Sequence, residues 1–102
     1  MISFSGPSGI DFFGEVSRDH RWLVSSKIFS KKITLWDVEK RKEIRDFSEM
    51  KGVPTSVKIS KDSARIAARC SAGEVVVWDR ESGEELERMA KPKGTLEGIL
   101  DR

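Results

Sequence analysis

Cysteine is nearly absent: Cys70 stands alone in the 102-residue chain. No disulfide can form within the chain and no cysteine-rich metal site can be assembled. A reducing intracellular setting is therefore expected. Histidine is as scarce, with His20 the one example, which excludes a His-based triad and the usual zinc sites. No apolar stretch approaches the ~20 residues needed to span a bilayer. The opening "MISFSGPSGIDFF" has neither the basic head nor the apolar run of a signal peptide. A cytoplasmic protein is expected, with a nuclear one as the alternative. A strong charge of one sign is missing too: the net charge is +2 and the pI about 8.8, well short of what points to nucleic acid on its own. There is no P-loop and no dinucleotide fingerprint. "SFSGPSGID" has glycines but no Lys-Ser/Thr after them, so phosphate binding is not expected. Nothing calls for a metal or another cofactor.

What is present is a repeat. Trp36-Asp37 returns as Trp78-Asp79, an offset of 42 residues (36 to 78). Ile33 and Leu35 map onto Val75 and Val77, Glu43-Ile44 onto Glu85-Leu86, Phe47 onto Met89, Lys51-Gly52 onto Lys93-Gly94, and Val57 onto Ile99. Upstream the offset becomes 43, and Val16-Ser17, Asp19, Gly9 and Phe4 then match Ile59-Ser60, Asp62, Gly52 and Phe47. Regular periods of this size mark stacked structural units.

Within each unit the apolar runs are short, as in "VKIS", "RIAAR" and "EVVVW" or "RWLVSS" and "KITLW". Short runs rich in Val, Ile and aromatics between Ser, Asp and Gly clusters are strand signals. "SRDHR", "SKDS" and "SAG" read as tight turns, and in "RESGEE" Gly83 supplies a positive φ. Val75 and Val77 face one way and Val76 and Trp78 the other, so this strand belongs in a sheet covered on both sides. A helical alternative exists for "VEKRKEIRDFSEM", where Ile44, Phe47 and Met50 fall three apart. Gly83 in the second copy and the short apolar stripe count against it.

These residues resemble the WD40 repeat family, most fully in "TSVKISKDSARIAARCSAGEVVVWDRESGEEL". The resemblance implies an all-β fold of four-stranded antiparallel propeller blades. Strands a to d are expected at 55–59, 65–69, 74–78 and 84–89 in one copy, and at 11–16, 21–26, 32–36 and 42–47 in the other. Blade 1 would span about 10–48 and blade 2 about 54–90, with leftover strands at about 1–5 (an outer strand d) and 95–100 (an inner strand a). Trp36 and Trp78 are then structural anchors, and Asp37 and Asp79 turn residues one blade apart. The family's Gly-His pair before strand a and its Asp in the b–c turn are absent here. Each Trp is expected to lack those polar partners, leaving blade cohesion to apolar packing.

Two blades fall short of the 4–8 of a closed propeller and leave outer sheet faces bare, which repeat units do not tolerate well. The chain is expected to be a fragment of a larger propeller, to self-associate, or to complete another propeller. The leftover d and a strands would not make whole blades, which weighs against a ring of identical copies. In the family the d–a and b–c loops share a rim, which here carries Lys27, Phe29, Lys31, Lys32, Lys51, Lys91 and Lys93 against Glu49. Such a rim suits an acidic protein segment, with Phe29 as an anchor. His20 and Cys70 read as a turn residue and a buried apolar residue. The function implied is a non-catalytic protein–protein interaction scaffold. The alternative is an RNA-binding module using the same lysines, which one loop aromatic supports poorly.

Overall fold

The β-branched residues that fill the runs between turns set them as extended chain. The computed structural model describes residues 2–5, 11–27 and 30–101. Among them the elements are β1 (Ile2–Ser5), β2 (Asp11–Val16), β3 (Trp22–Lys27), β4 (Ile33–Asp37), β5 (Lys42–Asp46), β6 (Pro54–Ile59), β7 (Arg65–Cys70), β8 (Val75–Asp79), β9 (Glu85–Met89) and the helix α1 (Leu96–Leu100). They form two antiparallel sheets in sequential order, β1 to β5 and β6 to β9. The helical alternative for the segment after Trp36-Asp37 is not what forms, because β5 pairs with β4 across a bulge at Leu35/Trp36, as β9 pairs with β8 at Val77/Trp78. The protein is nearly all-β, and its two sheets form an open, partial propeller.

The turns carry the repeat down to single hydrogen bonds. Ser17 Oγ donates to Asp19 Oδ1 (2.5 Å), and the same carboxylate oxygen accepts from the Arg21 N–H (3.0 Å). Ser60 Oγ, Asp62 and the Ala64 N–H repeat this at 2.6 and 3.0 Å. In both turns the residue after the Asp takes positive φ, His20 at 64° and Ser63 at 61°. His20 is thus an exposed turn residue. Gly83 has the positive φ (78°) that its turn requires.

The sheets stack face to face. Val24, Ile33 and Leu35 of the first sheet, with Phe47 and Met50 of the linker, meet Val57, Ile59, Ile66, Ala68, Cys70, Val76 and Trp78 of the second. The Trp78 indole is 0% exposed, with the Phe47 ring 5.4 Å away. Cys70 is a buried free thiol in this core. The inner strand β6 lies against β2 and β3. Polar ties flank the seam: Lys58 to Glu15 (3.5 Å), the Arg80 guanidinium over the Trp22 ring (4.2 Å), and Arg45 Nη1 to the Ser82 carbonyl (2.6 Å).

Two end segments differ from expectation. Residues 95–100 form no strand. Thr95 caps a helix by accepting from the Gly98 N–H (3.0 Å), and Leu96, Ile99 and Leu100 bury one helical face. A strand a here would need a following strand b as its partner, and packing on the second sheet satisfies these apolar residues instead. The leftover strand at 1–5 does form, but at the inner edge, where β1 pairs with β2 (Phe4 opposite Phe12). An outer strand d would pair with a strand c, whereas β1 pairs with the edge of β2.

Trp36 is only half-buried, on the outer face of the first sheet with Val16 and Leu23. Trp78→Ala should therefore cost about 3–5 kcal/mol, and Trp36→Ala about 1–2 kcal/mol, in proportion to the apolar area each hides. Urea unfolding of the two variants checks this. Equal losses would contradict the unequal burial.

Candidate functional site

The b–c turns and interblade segments are drawn to one end of the stack by backbone hydrogen bonds. The Met50 N–H donates to the Lys31 carbonyl (2.9 Å), and the Ser71 N–H to the Val53 carbonyl (2.9 Å). Gly73 lies under the stem of Lys91, whose Cγ would be 3.2 Å from a Cβ placed there. Lys31, Lys32, Lys51, Lys91 and Lys93 are exposed at this end. β3 ends at Lys27, and Phe29 lies outside the described residues.

Beneath the lysines runs a polar network absent from the sequence reading. Trp78 Nε1 donates to Ser48 Oγ (2.9 Å), and Ser48 Oγ donates to Glu85 Oε1 (2.9 Å). Arg88 grips Glu85 (2.7 Å) and Glu74 (2.8 Å) and donates to the Glu49 carbonyl (3.1 Å). Glu74 is 1% exposed and also accepts from the Lys51 N–H (3.0 Å). The Arg88 hydrogen bond holds the Glu85 carboxyl below its ordinary range against the opposing effect of burial, and Ser48 helps. Glu85 in turn raises the guanidinium further. The expectation that the tryptophans lack polar partners is corrected here. Trp78 reaches Ser48, and Trp36 Nε1 reaches Ser25 Oγ (2.8 Å). The network leaves little trace in the sequence because it is not repeated: Lys32 stands where the second copy has Glu74, and Asp46 where it has Arg88. Its one sequence signal is an acid set directly against the "VVVW" run.

At the opposite end Asp37 Oδ1 accepts from the Lys40 N–H (3.1 Å) and Asp79 Oδ2 from the Ser82 N–H (2.8 Å), each within its own turn. Those bonds hold both carboxyls below the ordinary range. The two aspartates serve separate turns, and nothing brings them together as an acid–base pair. Among the described residues no cluster of His, Cys, Asp and Glu could hold a metal, and no helix is long and apolar enough to cross a membrane.

The chain resembles many solved structures, among them the following three. The β-propeller domain of Cps50 (Swd1) from Myceliophteria thermophila has a TM-score of 0.70 at 19% identity, over 76% of this chain and 24% of its own. Hydrazine synthase of Kuenenia stuttgartiensis has 0.68 at 20%, over 78% and 23%. U3-55K has 0.68 at 15%, over 82% and 24%. The chain thus spans about a quarter of each neighbour. Cps50 and U3-55K are WD40 β-propeller proteins, and at these identities the likeness concerns the fold. No family model matches the chain, and no curated protein matches it by sequence.

Two predictions follow from these contacts. Arg88→Met strands the buried Glu74 carboxylate and should cost about 2–3 kcal/mol, below the full loss for a buried pair because Arg88 is partly exposed. Thermal melts of Arg88→Met with and without Glu74→Met give the coupling, and additive losses would deny it. The second concerns acid. The carboxyls of Asp19 and Asp62 are depressed chiefly by Ser17 and Ser60. A depressed carboxyl stabilises the fold above its unfolded value of about 4, and that stability is lost as pH falls through the folded value. The urea midpoint should hold steady above about pH 5 and fall below about pH 4. Asp19→Asn with Asp62→Asn should flatten that decline, and an unchanged acid limb would contradict the assignment.

Proposed function

We propose that this chain is a non-catalytic protein–protein interaction scaffold of WD40-repeat type that contributes blades to a larger propeller and docks an acidic protein segment on its lysine-bearing rim. The observation that carries this reading is the convergence of Lys31, Lys32, Lys51, Lys91 and Lys93 at one end of the stack. The acids there do not offset them. Glu74 is neutralised by Arg88, and Glu49 is the remaining acid of the 48–54 segment. Charge of one sign on a loop surface steers an oppositely charged partner and sets its orientation. The site lines no deep cavity, has no nucleophile beside a base and gathers no metal ligands among the described residues. Propeller neighbours drawn from protein domains support the scaffold reading at the level of fold. The outer face of the first sheet, where Val16, Leu23 and Trp36 are half-buried and no sheet packs among the described residues, supports the contribution to a larger assembly.

A Glu/Asp-rich peptide is the probe. Lys31→Glu with Lys32→Glu should weaken its binding about tenfold or more, about 1.4 kcal/mol, without shifting the urea midpoint. Unchanged binding removes the rim from consideration. Titration of single-stranded RNA against salt addresses the other polyanion: tight binding with a steep loss of affinity as salt rises would replace the protein partner with nucleic acid.

A further inference from the structure

We infer that α1 occupies a blade-docking surface, and that a second copy of this chain docks there through its Trp36 face when α1 is displaced. The internal repeat extends to the surfaces that meet between the sheets. In the seam between the sheets, one side is Trp78, Ile66, Ala68 and Val76, and the other is Val24, Ile33, Leu35 and Phe47. The cross-strand pairs Ile66–Trp78 and Ala68–Val76 recur in the first sheet as Leu23–Trp36 and Ser25–Thr34. The first sheet therefore carries a second Trp side of the joint, and among the described residues no sheet faces it: Leu23 and Trp36 are half-buried there, while Ser25 and Thr34 are buried, Ser25 accepting from the Trp36 indole and Thr34 donating to Asp46.

The covering side recurs as well. Val24, Ile33, Leu35 and Phe47 correspond by the same offsets to Ala67, Val75, Val77 and Met89. These four pack together against Leu96, Ile99 and Leu100 of α1. The helix thus rests on the repeat counterpart of the surface that receives Trp78. Two arginines of β7 hold it there: Arg65 donates to the Leu100 carbonyl, and Arg69 Nη2 to the Gly94 carbonyl at 2.9 Å. One copy consequently bears an open Trp side and a covered receiving side of the same joint. Charge agrees with this match. Asp46 and Glu43 border the open side, while Arg65 and Arg69 border the covered one and are freed as α1 leaves.

A head-to-tail contact of this kind differs from a two-fold contact between Trp36 faces, and α1 tells them apart. This inference rests on the propeller-module reading but not on the lysine rim, so failure of the acidic-peptide test leaves it standing. The experiment is sedimentation velocity on the full chain across a wide concentration range, with hydrogen exchange of the Ile99 and Asp101 amides that bond to Thr95 and Glu97. Leu96→Ser with Leu100→Ser unclips α1 from its apolar seat, leaves Arg65 and Arg69 in place to meet Asp46 and Glu43, and should tighten self-association at least tenfold, with loss of protection at both amides. Adding Leu23→Asp should return that variant to a monomer. Near-ultraviolet circular dichroism of the buried Trp78 shows that each variant keeps its seam. In the unaltered chain, any association should lower α1 protection. The inference is overturned if the unclipped variant keeps its seam and stays monomeric. It is overturned equally if Leu23→Asp leaves association intact, or if an oligomer forms with α1 still protected.

Discussion

The fold depends on burial of one indole. Trp78 closes β8 against the first sheet, fully hidden, with its ring beside Phe47 and its N–H given to Ser48. Both contacts come from the segment that follows β5, so this single side chain is satisfied by the chain that joins the sheets. That arrangement orients the second sheet: the linker cannot move without exposing an aromatic surface and stranding an indole N–H, each costly when buried. The inner strands then meet as β6 against β2 and β3, and the loops at one end fall into register.

The network behind Trp78 solves a local problem differently from the WD40 pattern. In place of a His and an Asp, a buried Glu74 and a half-covered Arg88 tie the linker backbone to the second sheet. A buried carboxylate is tolerated only when its lone pairs are used, and Glu74 accepts from both the guanidinium and the Lys51 N–H. The same residues shape the rim above them. Neutralising Glu74 leaves the neighbouring lysines less opposed, so an arrangement that holds the blade also sets the sign of its surface field.

Most of the sheet architecture was legible in the sequence because it is written twice. Period-two alternation in "VVVW" and the Ser-x-Asp turns place β2 to β9 within a residue or so at each end. What was not legible is what occurs once. Glu74 and Arg88 have no counterparts of like charge in the first copy, so a repeat-based reading passes over them. At the end segments the requirements of a complete blade and the local chemistry point different ways, and local chemistry decides. Thr95 with Leu96, Ile99 and Leu100 has the cap and the three–four spacing of a helix, a signal present in the sequence but outweighed by alignment of Ile99 with Val57. Leu23 and Trp36 give no sign in the sequence that they are only half-buried, because burial depends on a neighbour that the sequence does not describe.

A helix of five residues cannot persist on its own hydrogen bonds. Its order is borrowed from the sheet beneath, through three apolar side chains and two arginine clips. The sheet-to-sheet seam is far larger, joining a dozen buried residues. Two surfaces related by the repeat thus carry occupants of very different grip, a whole blade on one and a single turn and a half on the other. A small occupant on a blade-sized surface is the easier to replace, since an incoming sheet hides more apolar area than the departing helix gives up. What keeps α1 seated is therefore proximity along the chain more than strength of contact, and that advantage weakens as the concentration of a competing Trp face rises.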